Sequence, residues 1–148
     1  MLPAIFGKLN TILNLMNFAS IRIITSDIRA LIQFYERITG LPIIQYTEDF
    51  AELRTPSGVL AIGSTRTLQL FGGAHLATPQ TNRSIILEFR VDDVDAEYGK
   101  LKEHLGHDLV QTPTTMPWGN RSMLFRDPDG NLINFFTPVT EEANKRAN

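Results

Sequence analysis

The chain has 148 residues, enough for one domain or for two small modules that share a core. Hydrophobic residues at 43% and charged residues at 20% fit a soluble globular protein, and a net charge of −2 supplies no basic footprint for nucleic acid. The absence of cysteine excludes disulfides, thiolate nucleophiles and cysteine-based zinc sites, and no apolar run reaches the ~20 residues needed to span a bilayer.

In chain order, residues 1–16 read as an N-terminal extension. They lack the basic start and continuous apolar stretch of a signal peptide. Leu9, Ile12, Leu13 and Met16 fall at helical spacing, and Met16 is an alternative to Met1 as the native start. Phe18 to Thr25 then alternates like a strand, and Ser26 or Asp27 is placed to cap a helix. Ile28, Leu31, Ile32, Tyr35 and Ile38 form an apolar stripe at spacings of three and four, stopped at Gly40. Pro42–Tyr46, Glu52–Arg54 and Val59–Ile62 are short strand candidates, with Leu68–Phe71 as a possible extension of the last. These make a first module over 17–71. Residues 72–83, rich in Gly, Pro, Thr and Asn, read as a linker.

A second module over 84–139 repeats the order. Ile85 to Val91 is a strand and Asp93 to Leu105 a helix; Leu109–Val110, Arg121–Arg126 and Leu132–Thr137 are strands. Asp127-Pro128-Asp129-Gly130 is a chain reversal. The tail from Thr140 to Asn148 is polar and expected to fray. The capping aspartates lie 66 apart (93 − 27), and so do the stop glycines (106 − 40). A strand, a capped helix and a stop at one offset indicate a duplicated unit. The turn glycines Gly58 and Gly130 are 72 apart, so about six extra residues fall near Gln111–Asn120, around the only tryptophan, Trp118.

Together Ile24-Thr25-Ser26-Asp27 with Phe34-Tyr35 and Gly40-Leu41, Phe89-Arg90-Val91-Asp92-Asp93-Val94, Pro117-Trp118-Gly119-Asn120-Arg121 and Phe125 through Ile133 resemble the vicinal oxygen chelate superfamily. That superfamily includes glyoxalases, extradiol dioxygenases, fosfomycin-resistance enzymes and bleomycin-binding resistance proteins. The resemblance spans roughly residues 17–139 and implies an α+β fold of two βαβββ modules whose curved sheets surround a shared cleft. The Pro117-Trp118-Gly119 turn is closest to the bleomycin-resistance-like members.

Metal-dependent members place ligands on the first and last strands of each module. Carried over by spacing, those positions are Ser20, Ile62, Ile86 and Asn134. Two are hydrocarbons and two are neutral, so the resemblance implies a cleft without a metal or other cofactor. The histidines, His75, His104 and His107, show no ligand spacing and read as surface residues. Strand alternation turns Ser20, Arg22, Glu88, Arg90, Asn134 and Phe136 into the cleft. Arg22 and Glu88 are equivalent (88 − 22 = 66) and are expected to meet as an ion pair across the pseudo-twofold. Trp118 offers a flat stacking surface at the rim. Glu52 is a further acid or base candidate, and no nucleophile is identifiable.

The expected protein is a cytoplasmic homodimer that binds a small organic molecule in its inter-module or dimer cleft without a metal, with drug sequestration as one form of that binding. No nucleic-acid or membrane partner is expected. The alternatives are a glyoxalase-type lyase, isomerase or dioxygenase with atypical or no metal ligands, and a regulatory or structural dimer with a filled cleft.

Overall fold

A computed structural model describes residues 16–148 of the chain. The readings for Leu9, Ile12 and Leu13 lie outside the described residues.

The first module runs β1 (Ile21–Thr25), α1 (Ile28–Thr39), β2 (Ile44–Thr47), β3 (Phe50–Arg54) and β4 (Val59–Ser64). The second runs β5 (Ile86–Arg90), α2 (Val94–Leu105), β6 (Leu109–Thr115), β7 (Asn120–Arg126) and β8 (Leu132–Pro138). The sheet orders, β1-β4-β3-β2 and β5-β8-β7-β6, are equivalent. Each first strand is parallel to the last strand of its module, and the remaining pairs are antiparallel. The fold is therefore α+β with two βαβββ modules, as the repeat predicts.

Both helices begin and end for the same local reasons. The Asp27 carboxylate accepts from the Ala30 amide at 3.1 Å, and Asp93 accepts from Ala96 at 3.1 Å. Each satisfies one of the amides a helix start leaves free. The stops Gly40 and Gly106 have φ of 67° and 53°, backbone that a β-carbon disfavours.

The helix-facing sides of both sheets join one apolar cluster. Leu31, Tyr35, Ile38, Leu53 and Ile62 come from the first module, and Leu87, Leu101, Met123, Phe125, Ile133 and Phe135 from the second. Phe34 of α1 reaches Phe125 at 6.3 Å between ring centroids, so α1 packs on both modules. Fully burying each such side chain contributes about 1.5–3 kcal/mol, which favours joined modules over separate ones.

A polar network fixes how the modules join. Tyr35, with no exposed surface, donates from its hydroxyl to Asp127 Oδ2 at 2.7 Å. Asn131 Nδ2 donates to the same oxygen at 2.8 Å, while the Asp129 and Asn131 amides donate to Oδ1 at 2.9 Å each. Asn82, between β4 and β5, donates from Nδ2 to Asn131 Oδ1 at 3.2 Å. One carboxylate thus ties α1, the β7–β8 turn and the inter-module connection together. Burial pushes the Tyr35 phenol well above its usual pKa, with the adjacent Asp127 adding to the effect, so the phenol stays a donor.

Three segments depart from expectation. Leu68–Phe71 does not extend β4; a 3-10 turn over Thr65–Leu70 starts there, because the Ser64 hydroxyl caps it by accepting from the Arg66 amide at 3.2 Å. The extra residues near Trp118 lengthen one hairpin: β6 and β7 have 7 residues each, against 4 and 5 in β2 and β3. The tail does not fray. It forms α3 (Glu141–Ala147), capped by Thr140 and seated by Ala143 at 2% exposure. Gly119 makes the room: it has φ of 93°, and a β-carbon there would lie 2.1 Å from Thr140 Oγ1.

Replacing Tyr35 by Phe should destabilise the fold by about 1–3 kcal/mol in urea unfolding, because Asp127 Oδ2 loses a buried donor. A loss within error of zero would show that this hydrogen bond does not join the modules. Asp129 supplies a pH test. Burial raises its carboxyl pKa, and the nearby Asp127 charge adds to this. A raised pKa means the Asp129 contribution is full below the ordinary carboxylate value and is lost as pH rises through the raised one. The stability of Asp129→Asn relative to wild type should therefore climb with pH across that range, and a flat difference would refute the assignment.

Candidate functional site

The sheet registers decide which side chains occupy the open faces. In the first module Arg22, Ala61, Glu52 and Ile44 form one cross-strand row. In the second, the equivalent row is Glu88, Asn134, Leu124 and Gln111. The next rows are Ile24, Gly63 and Phe50, and Arg90, Phe136, Ser122 and Thr114. The two faces therefore carry opposite charges at equivalent positions.

β1 and β5 are edge strands, and two cavities lie along the seam between the modules. The larger, about 690 Å³, is lined by Ser20, Glu88, Arg90 and Phe136, with apolar walls from Phe18, Ile21 and Ile86. Four of the residues expected in the cleft thus converge. Asn134 stands behind Glu88, donating from Nδ2 to Glu88 Oε2 at 2.9 Å. It is 9% exposed, and its Oδ1 is buried without a partner. Arg90 is held at the rim by the Ala147 carbonyl at 3.0 Å and by Asn148 Oδ1 at 3.3 Å.

The expected Arg22–Glu88 ion pair does not form. Each sheet closes its own row instead: Glu88 turns to Asn134, and Arg22 turns back across its sheet. The Arg22 guanidinium lies 4.8 Å from the Phe50 ring centroid and 5.7 Å from that of Phe71. Arg22 also borders the second cavity, about 430 Å³, with Ile24, His75, Gln80 and Asn82. Glu52 is paired with Arg54 at 2.9 Å and is not a free base.

The metal-ligand positions also need one correction. Ile62 is fully buried against the helices, pairing with Ile23. By register, the open-face counterpart of Asn134 is Ala61, because Arg22 pairs with Ala61 as Glu88 pairs with Asn134. The four positions become Ser20, Ala61, Ile86 and Asn134. Two hydrocarbons and two neutral oxygens are a poor donor set for a divalent ion. Among the described residues no group of three or more His, Cys, Asp or Glu is arranged to hold a metal. Among the described residues, Glu88 is the only carboxylate lining the larger cavity.

Trp118 is not brought together with these residues. It sits at the tip of the β6–β7 hairpin, where the Gly119 amide donates to the Met116 carbonyl at 2.9 Å, and it lines neither cavity. The residue is 58% exposed and its carbonyl accepts from Arg146. Strand spacing is enough to put Glu88, Arg90 and Phe136 on one face, and all three line the larger cavity. It missed Phe71 and the role of Gly63 beneath Arg22, which arise from the 3-10 turn and a cross-strand neighbour.

Comparison with known proteins agrees with the fold. Residues 17–135 match the family model of the Glyoxalase/Bleomycin resistance protein/Dioxygenase superfamily. YraH of Bacillus subtilis is 28% identical over 126 residues, covering 82% of this chain and 98% of YraH. YwbC of the same organism is 29% identical over 117 residues, covering 77% and 91%. The crystal structure of a glyoxalase/bleomycin resistance protein/dioxygenase family enzyme from Burkholderia phytofirmans superposes with a TM-score of 0.72 at 19% identity, covering 84% of this chain and all of that one. With the duplicated modules, the matched rows and the family match over residues 17–135, the chain belongs to the glyoxalase/bleomycin resistance/dioxygenase superfamily.

Proposed function

We propose that the chain binds a small organic cation with an aromatic group in the larger seam cavity, without using a divalent metal. The observation that carries this is the Glu88 carboxylate: it faces the cavity, and its one hydrogen-bond partner among the described residues is the neutral amide of Asn134. A cationic ligand supplies the charge that Asn134 cannot. Phe136, Phe18, Ile21 and Ile86 give an aromatic ring apolar contact, and about 690 Å³ lies within the usual range for small-molecule sites. Ser20 offers a hydroxyl at the same wall. No histidine lines this cavity to activate that hydroxyl, which favours binding over nucleophilic turnover. Sequestration of a cationic drug is the form of binding we favour.

Trp118 lines neither cavity, and the proposal keeps it only as a contact for a ligand that extends from the cavity along the open face of β7. Asn120 leads from its hairpin into β7, whose Ser122 and Leu124 share the open face with Asn134 and Phe136. The homodimer is likewise proposed. Val110 at 51% and Val139 at 48% exposure leave apolar surface on the second module that a second copy would cover. Cytoplasmic location completes the reading; no helix among the described residues is long and apolar enough to cross a membrane.

Benzamidine, an aromatic cation, is a suitable probe. It should raise the melting temperature of the wild type in the presence of EDTA. Glu88→Gln keeps the Asn134 contact but loses the charge, and should weaken binding at least about tenfold with the fold intact. Equal binding by both proteins would remove Glu88 as the anchor. Since Trp118 is the only tryptophan, its fluorescence reports rim contact directly. Benzamidine binding that leaves the emission unchanged would place Trp118 outside the site.

A further inference from the structure

We propose that the open face of the first module holds a second, separate site, built around Arg22, for a planar aromatic carboxylate. It does not depend on the seam-cavity reading, because it uses the other sheet face and the opposite charge.

Arg22 is an arginine without an acceptor. Its guanidinium lies between the rings of Phe50 and Phe71, at 4.8 and 5.7 Å, and makes no ion pair or protein hydrogen bond among the described residues. The carboxylates beside it are already taken. Glu52 is held by Arg54 at 2.9 Å. Asp49 is held by Arg66 at 2.6 Å and by the Ser64 hydroxyl at 2.7 Å. Those two bonds, the Arg66 one first, also hold the Asp49 carboxyl below its usual pKa, so it stays committed to Arg66.

The sheet is shaped to keep Arg22 in this pose. Gly63 lies beneath its stem, and a β-carbon there would sit 3.2 Å from Arg22 Cδ and 3.2 Å from Thr67 Oγ1. With Ala61 next along the strand, the floor carries almost no side-chain bulk, so the stem lies low and the guanidinium meets the Phe50 face. The aromatic rings hold the guanidinium by cation–π contact, and Arg22 is exposed, so its N–H groups are open to a ligand. A carboxylate matches them with two parallel hydrogen bonds. The ring attached to it finds partners nearby. Tyr46 stacks on Phe50 with centroids 6.0 Å apart and is 52% exposed; Phe71 is 67% exposed. One unpaired guanidinium suits a single negative charge. The other arginines of this face, Arg54 and Arg66, are neutralised, so a doubly charged phosphate has no second cation.

The test uses the full-length, ¹⁵N-labelled protein and sodium benzoate. The Arg22 Nε–Hε cross-peak should shift saturably, and calorimetry should give the same affinity. Acetate, which lacks the ring, should bind at least about tenfold more weakly than benzoate. Arg22→Gln should lose benzoate by a similar factor or more, with Arg22→Lys in between because it keeps the charge but not the fork. Glu88→Gln should bind benzoate like the wild type, which separates this site from the seam cavity. A static Arg22 cross-peak, or acetate matching benzoate, would overturn the proposal. The wild-type cross-peak decides the matter even if Arg22→Gln fails to fold.

Discussion

The arrangement of this molecule depends on the Asp127 carboxylate. It receives four hydrogen bonds: two from amides of its own turn, one from the Asn131 side chain and one from Tyr35 in the other module. The first three shape the β7–β8 turn. The fourth fixes where the first helix sits on the second sheet. A buried carboxylate is costly unless its oxygens are satisfied, so the geometry that satisfies this one also selects a single docking of the modules. The apolar cluster makes docking favourable, and Asp127 makes it specific. The seam and its two cavities follow from that docking.

The duplication then has a chemical consequence. Equivalent first-strand positions hold Arg22 in one module and Glu88 in the other, and each pairs with an uncharged residue on the neighbouring strand: Ala61 and Asn134. The repeat keeps backbone positions while the side chains diverge, so one architecture presents opposite charges at the equivalent first-strand positions 22 and 88. The small Ala61 and Gly63 let Arg22 lie flat on aromatic rings. The longer Asn134 reaches Glu88 instead. Each charged side chain is thus engaged within its own sheet, and the cross-module ion pair does not form.

Much of the fold was legible in the chain because its signals are local. Asp27 and Asp93 cap helices and Gly40 and Gly106 end them through atoms within one turn, so spacing alone locates both copies. The outward direction of Glu88, Arg90, Asn134 and Phe136 follows from strand alternation and was equally readable. What failed depends on contacts between distant residues. Counting from the turn glycines put Ile62 on the open face, but sheet register, set by pairing with β1, puts Ala61 there and Ile62 in the core. The tail helix needs the close approach of Thr140 and Ala143 to Gly119, which no pattern within the tail announces. The turn around Asp127 was readable as a turn, whereas its bond to Tyr35, 92 positions away, was not.

We propose that the seam cavity is a preformed ligand site anchored on Glu88 and Asn134 and independent of metal. The most direct measurement follows the Asn134 side-chain amide by NMR while benzamidine is added in excess EDTA. That amide pair should shift saturably under metal-free conditions, since a cation at Glu88 Oε2 changes the bond that Asn134 Nδ2 donates to the same oxygen. An amide that stays still in EDTA and moves only after a divalent metal is supplied would contradict it.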